Sequence, residues 1–264
     1  MNIAYNMDCL EAMREMPDNA FDLAVVDPPY GSGLPDEMGG VNIGSDLAEG
    51  STSTAQKMVN RGGGGTASRN TTSAHYQRKN VRQPDGTWGY ASWRDLGDEV
   101  CKKIIAWDTA PGAEYFEQLF RVSRNQIIWG GNYFALPPTR CFLIWRKLTI
   151  SENFSMAMAE YAWTSFNKNA KVFEHVPQDN TGTRFHPTQK PVALYEWIYR
   201  LYTEPGMKIL DTHLGSGSSR IAAYDAGLDF VGYEIDKEYF DKQEERFAQH
   251  TAQLNLFVDT EDIT

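Results

Sequence analysis

The tetrapeptide Asp27-Pro28-Pro29-Tyr30 brings together a carboxylate, two rigid residues and an aromatic ring. It follows Phe21-Asp22-Leu23-Ala24-Val25-Val26, a mostly apolar run that reads as a buried parallel strand. The four residues therefore leave the carboxyl end of a strand, the edge at which open α/β sheets bind their ligands. Prolines fix the backbone and carry no N–H to compete for nearby carbonyls. Asp27 and the Pro28 carbonyl can accept both hydrogens of one –NH2 group, and Tyr30 can stack on a flat ring. That chemistry suits an exocyclic amine on a nucleobase, held for reaction. A strand that simply ends in a turn is the plainer alternative.

A second constellation is Lys208-Ile209-Leu210-Asp211-Thr212-His213-Leu214-Gly215-Ser216-Gly217-Ser218-Ser219, which reads as strand, glycine-rich turn and helix. Glycines let the backbone approach a ligand closely. The next strand ends at Glu234, and an acid there can bind both hydroxyls of a ribose. Nicotinamide and other adenosine cofactors share this logic. The spacing Asp-x-x-x-Gly-x-Gly nevertheless departs from Gly-x-Gly-x-x-Gly. It also sets Asp211 at the strand end, where a carboxylate repels a pyrophosphate and favours a ligand carrying an α-amino group and a sulfonium. An ordinary tight strand–helix turn is the alternative.

The third is His186-Pro187-Thr188-Gln189-Lys190-Pro191. Thr188 can cap the following helix and Pro191 suits its first turn. Thr188 and Lys190 are then expected to face an anionic group of the cofactor near a helix N-terminus. A capped helix start and nothing more stays open at this point.

The elements that must position these motifs follow from periodicity. Residues 1–30 read as strand, helix and strand, with the short amphipathic helix at Leu10–Met16. Residues 113–122 have helical spacing, and 126–129, 141–145 and 156–163 read as buried strands. A helix over 191–203, a strand over 207–211, a helix over 218–226, a strand over 230–234 and a helix over 237–250 complete the pattern. This alternation predicts an α/β fold with a doubly wound, mostly parallel sheet in a single domain spanning 1–250. Residues 31–75 are dominated by Gly, Ser, Thr and Asn and cannot bury a core of their own. Residues 31–95 are accordingly read as a mobile insertion, and 251–264 as a flexible C-terminal tail.

Composition narrows the function classes. The chain has 264 residues, 41% of them hydrophobic, enough for one large core. It contains no apolar run of membrane-spanning length, and Met1-Asn2-Ile3-Ala4-Tyr5 lacks a signal-peptide pattern. Cys9, Cys101 and Cys141 offer neither a metal pair nor a disulfide framework, so no metal is expected and a reducing cytoplasm fits best. Net charge is −10, which by itself disfavours nucleic acid. The distribution says more: Arg61, Arg69, Arg78, Lys79 and Arg82 lie between Lys57 and Arg94 with Asp85 the only acid among them. A local basic stretch binds phosphates even on an acidic protein.

Together the three motifs resemble the β-class S-adenosylmethionine-dependent amino-methyltransferases of DNA. In that class Asp-Pro-Pro-Tyr comes first, and His-Pro-Thr-Gln-Lys-Pro and Asp-x-Phe-x-Gly-x-Gly come last. The resemblance covers residues 1–30 and roughly 105–245. It implies a Rossmann-like methyltransferase fold in circularly permuted order, with S-adenosyl-L-methionine as cofactor. Asp211, Gly215 and Gly217 are then expected to line the methionine part, with Thr212, Ser216, Ser218, His186, Thr188 and Lys190 among the cofactor contacts. Glu234 would bind the ribose, and Asp8 matches the position that reads the cofactor's adenine. One departure is visible: Thr212-His213 stands where the family usually has Pro-Phe, so that His213 either replaces an apolar packing ring or touches ligand.

The resemblance also implies a mechanism. The target base must leave the duplex, because its amine is inaccessible inside it. Tyr30 is expected to stack on the flipped ring while Asp27 and the Pro28 carbonyl accept the amine hydrogens. No covalent intermediate is needed. A C5-cytosine enzyme needs a nucleophilic cysteine, usually after proline. Here Cys9 follows Asp8, Cys101 follows Val100 and Cys141 follows Arg140. Within the family, Asp at the first motif position favours adenine N6, whereas cytosine-N4 enzymes more often begin with serine. The expected activity is therefore site-specific adenine-N6 methylation in restriction–modification, epigenetic marking or phage self-protection, with cytosine N4 as the alternative. A catalytically silent binding module is disfavoured by the intact Asp27 and Tyr30, and a nicotinamide dehydrogenase by the glycine spacing.

Partners are read from the remaining segments. Tyr76, Trp88, Tyr90 and Trp93 interleave with the basic residues, so double-stranded DNA is expected to meet Arg78, Lys79, Arg82 and Arg94. A solvated loop is the alternative. Gln253-Leu254-Asn255-Leu256-Phe257 resembles the short peptides that bind the bacterial sliding clamp. Packing back on this chain, or a homodimer contact, would use the same apolar side chains.

Overall fold

A computed structural model describes residues 1–31, 80–82, 88–90, 108–150, 157–177 and 184–258. The chain divides into two units, Met1–Tyr30 with Ala110–Thr264, and Gly31–Thr109. In the second unit β3 (Asn80–Arg82) pairs antiparallel with β4 (Trp88–Tyr90). The rest of the expected mobile insertion, including Arg78, Lys79 and Arg94 and the side chain of Arg82, lies outside the described residues.

The first unit is built on an eight-stranded sheet in the order β1-β10-β9-β2-β5-β7-β6-β8. Its strands are β1 (Asn2–Tyr5), β2 (Phe21–Val26), β5 (Ser123–Trp129), β6 (Phe142–Lys147), β7 (Ala159–Thr164), β8 (Lys171–His175), β9 (Lys208–Asp211) and β10 (Asp229–Tyr233). All pairings are parallel except those of β7 with β5 and with β6, so β7 alone runs against the rest. From β2 the chain continues outward to β5, whereas β9 continues the other way to β10. The order reverses between β2 and β9, and it is outside the carboxyl ends at such a switch point that open α/β sheets bind their ligands.

Among the described residues, five α-helices join the sheet: α1 (Cys9–Glu15), α2 (Ala113–Val122), α3 (Val192–Tyr202), α4 (Ser218–Asp225) and α5 (Lys237–Val258). Alternation along β2 sends Leu23 and Val25 into one core and Ala24 and Val26 into the other. The first core is closed by Leu194, Ile198 and Tyr199 of α3 and Ala222 and Ala223 of α4. The second is closed by Met13 of α1 and Leu119 and Val122 of α2. Helix α2 buries Tyr115, Leu119 and Val122, one stripe at helical spacing. Its Arg121 donates to the Met13 and Met16 carbonyls at 2.6 and 2.7 Å, satisfying the end of α1 just before β2 begins. The doubly wound, mostly parallel α/β architecture is thus as expected.

Several details differ from expectation. The segment between β7 and α3, read as irregular, contains β8, which extends the sheet beside β6. Its burial alternates weakly and Val172 is exposed, so it carries little of the apolar signal from which strands are read. The last helix runs to Val258 rather than stopping at 250; the side chains of Leu254 to Phe257, and with them the clamp-binding motif, lie outside the described residues. Thr188 does not cap α3: the capping position is Pro191, which offers no side-chain acceptor.

Candidate active site

Asp27 emerges from the end of β2 with its two carboxylate oxygens differently occupied. The Tyr30 hydroxyl donates to Oδ1 at 2.7 Å, and the Lys190 ammonium donates to Oδ2. Lys190 is only 5% exposed. Burial disfavours its charge, yet the Asp27 and Glu160 carboxylates outweigh burial and hold it above the usual lysine range. Lys190 therefore pairs with the Asp27 carboxylate, where the sequence pointed it towards an anionic group of the cofactor. The reason is local: Pro191 begins the helix in the extended conformation, and the preceding lysine reaches across to β2 and β7.

Tyr30 lies flat on Tyr133, with ring centroids 4.9 Å apart and planes 12° from parallel, and meets Phe134 edge-on. Gly130, at φ +67°, makes this placement possible, because a β-carbon there would fall within the Tyr30 ring. Pro28 is buried and Pro29 half-buried. The motif expected to be catalytic is thus brought together, with Tyr133, Phe134 and Gly130 as additions that the sequence reading missed. The Gly130-Gly131 pair directly after the apolar strand Gln126–Trp129 was the available signal. Glu160, a lone acid inside the run read as strand 156–163, was another.

The second carboxylate is Asp211, at the end of β9. It is 2% exposed and accepts from His213 N at 3.0 Å and from the Ser219 hydroxyl. Burial, with Asp27 and Glu234 adding repulsion, pushes its carboxyl up to about 7 despite those donors. The third is Glu234, just past β10. Gly215 N donates to its Oε2 and Asp236 N to its Oε1, both at 2.8 Å, and burial raises its carboxyl above the usual range. The glycine loop joins the two acids: Gly217, at φ +75°, stands before α4, and a β-carbon on Gly215 would meet the His186 ring at 3.4 Å.

The remaining expected residues are found nearby in varied roles. Asp8 caps α1 by accepting from Leu10 N at 2.7 Å, and its charge acts on His213. Thr188 is exposed and bonds His186 Nδ1 at 3.3 Å. Ser216 and Ser218 turn inward, bonded to one another at 3.1 Å and held by Arg246. Thr212 pairs with the Tyr115 hydroxyl at 2.6 Å and with His213 Nδ1 at 2.9 Å. His213 therefore packs as an aromatic ring, edge-on to Tyr115, and burial lowers its pKa to about 4, so it is neutral.

Three carboxylates thus stand at adjacent strand ends, and only Asp27 has a lysine. Among the described residues, no lysine or arginine pairs with Asp211 or Glu234. Buried anions without counter-charge fit a ligand bearing its own positive charges, beside glycines that leave room for it.

Comparison with known proteins gives the family. A family model described as DNA methylase matches residues 56–245. The chain belongs to that DNA methylase family. It is 23% identical to an Escherichia coli (strain K12) protein named "Putative methylase YubD", over 91% of this chain and 88% of that one. It is 36% identical to the type II methyltransferase M.HpaI of Haemophilus parainfluenzae over 30% of this chain and 25% of that one. Among solved structures, the cytosine-N4-specific PvuII DNA methyltransferase shares the fold at a TM-score of 0.52, with 11% identity over 95% of this chain and 91% of that one. As a member of the family the chain uses S-adenosyl-L-methionine, and its sulfonium and α-amino group are charges of the kind the unpaired acids call for.

Two outcomes follow from the geometry. Gly130→Ala should push Tyr30 off Asp27 and lower kcat by about tenfold or more, with the melting temperature changing by only a few degrees. A wild-type kcat in steady-state assays would show that Tyr30 placement does not matter. The raised Asp211 carboxyl has a definite sign: its contribution to stability is full below the ordinary carboxylate range and is lost as pH rises through about 7. A cationic ligand needs the carboxylate, so below pH 7 it must displace a proton. S-adenosylmethionine affinity, read by calorimetry, should rise by up to about tenfold per pH unit towards pH 7 and then level off. Asp211→Asn should weaken binding and remove that slope.

Proposed function

We propose that this chain is a site-specific DNA methyltransferase that methylates the N6 amine of a flipped-out adenine. The observation that carries this reading is the Asp27 carboxylate, aimed past the end of β2 with Lys190 on one oxygen and only a tyrosine hydroxyl on the other. An amine that displaces that hydroxyl gains a charge-assisted acceptor. Asp27 Oδ1 and the Pro28 carbonyl then take its two hydrogens, turning the nitrogen lone pair out of conjugation with the ring. Tyr30, backed by Tyr133, offers its ring for stacking, and Gly130 sets its position. S-adenosylmethionine supplies an electrophilic methyl group when bound. Asp211 and Glu234 hold it through their carboxylates, with His186 against the glycine loop. Positioning supplies much of the acceleration. His213 is neutral and packed, so it serves as the family's apolar ring does.

Adenine is favoured over cytosine N4 by Asp, rather than Ser, at position 27. Double-stranded DNA is the proposed partner, met by Arg78, Lys79, Arg82 and Arg94, and the cytoplasm the proposed compartment. Among the described residues no helix is long and apolar enough to cross a membrane.

Nucleoside mass spectrometry of DNA treated with the purified chain should show N6-methyladenine, and Asp27→Ala should abolish it. N4-methylcytosine instead would establish the alternative base, and no methylated base from the wild-type chain would sink the reading. Replacing Arg78, Lys79 and Arg82 together by Ala should weaken DNA binding and flatten its dependence on salt by about three phosphate contacts. Unchanged binding in a salt titration would remove that segment from the interface.

A further inference from the structure

Two charges, the buried ammonium of Lys147 and the half-buried carboxylate of Glu160, have no part in the reading above. Lys147 ends β6 and Glu160 lies near the start of β7; because β7 runs against its neighbours, its start and the end of β6 share one sheet edge with Asp27. Lys147 Nζ lies 2.6 Å from Glu160 Oε1, and Lys190 Nζ lies 3.2 Å from Glu160 Oε2. Lys190 continues to Asp27, and Asp27 to the Tyr30 hydroxyl. The result is a chain of alternating sign, Lys147–Glu160–Lys190–Asp27, in which both lysines are buried and both carboxylates half-buried, with Lys190 also 5.5 Å above the Trp129 ring.

Buried charges are costly unless each is paired and its geometry held. An ammonium bonded to Asp27 alone could serve either carboxylate oxygen. Shared between two carboxylates, it is confined to the side of Asp27 that faces β7. We propose that Glu160, itself held by Lys147, is a positioning residue for methyl transfer: it keeps Lys190 on Oδ2 of Asp27, so that Oδ1 stays directed at the target amine. The inference rests on the role proposed for Asp27.

The electrostatics give it a readout. Burial opposes ionisation of Glu160, yet Lys190 and Lys147 outweigh it and hold the carboxyl below the usual range. The other titratable groups that act here are the Tyr30 and Tyr195 phenols, both pushed up by burial and so neutral, and Asp211, on which the Asp27 charge acts and whose own charge acts on Tyr195. Removing the Glu160 charge deletes one of the two carboxylates that favour the Lys190 ammonium. Burial then weighs more, and Lys190 loses its proton at lower pH.

The test is Glu160→Gln in the full chain, with Glu160→Asp beside it. Glu160→Gln should lower kcat by about tenfold or more while KM for DNA and for S-adenosylmethionine stays within about twofold. The alkaline limb of its kcat–pH profile should move to lower pH, and Glu160→Asp should fall between the two in both quantities. If Glu160→Gln does not fold, Glu160→Asp is judged by the same two measurements. A wild-type kcat, or a reduced kcat with the alkaline limb unmoved, overturns the proposal while leaving Asp27 in its role. A wild-type chain that methylates no DNA amine overturns both.

Discussion

The ion pair between Lys190 and Asp27 joins positions 163 residues apart, and the site depends on it. Asp27 leaves the central strand of the sheet, whereas Lys190 precedes the helix that covers one of its faces. Neither charge is tolerable alone at this burial, so each enforces the placement of the other. The pair also breaks the symmetry of the carboxylate. One oxygen is committed to a cation, and the other holds a hydroxyl that a better donor can displace. A free carboxylate in the same crevice would bind an amine without orienting it.

The same crevice is electrically uneven. Asp27 has its counter-charge in the protein, whereas among the described residues Asp211 and Glu234 meet backbone and hydroxyl donors. On the proposed reading, that difference sorts two ligands along one sheet edge. The base proposed to meet Asp27 is neutral and needs acceptors that are already compensated. The cofactor would be cationic where it met β9, and an uncompensated carboxylate would attract it while excluding a pyrophosphate. The distinction from a nicotinamide-binding fold therefore lies in which strand-end acid lacks a lysine, as much as in the glycine spacing.

Most of this fold was legible because its strands and helices are strongly periodic. Val25 and Val26 could be assigned to opposite cores from alternation alone, and Asp211 and Glu234 to neighbouring strand ends from the strand–glycine–helix pattern. Strand β8 was not legible, because an edge strand with an exposed Val172 buries too little to leave a pattern. The protein partners of Lys190 were not legible for a related reason. Local sequence shows that a lysine precedes a helix, but only the tertiary fold shows that two carboxylates from other strands reach it. The contact of Arg246, on a distant helix, with Ser216 and Ser218 is likewise visible only in the fold.

The reversed strand explains why the site carries acids from both directions. In a fully parallel sheet every residue at the ligand-binding edge comes from a strand's carboxyl end. Here β7 runs the other way, so residues near its start also reach that edge, and Glu160 arrives between Lys147 and Lys190. Its partner across the register is Trp145, and Trp129 lies beneath the Lys190 ammonium, so aromatic rings line part of the chain of charges. Low-dielectric walls strengthen each pairing and raise the cost of breaking one. Moving Asp27 therefore means moving Lys190, Glu160 and Lys147 with it, and rigidity of that kind is what an acceptor for a flipped base requires.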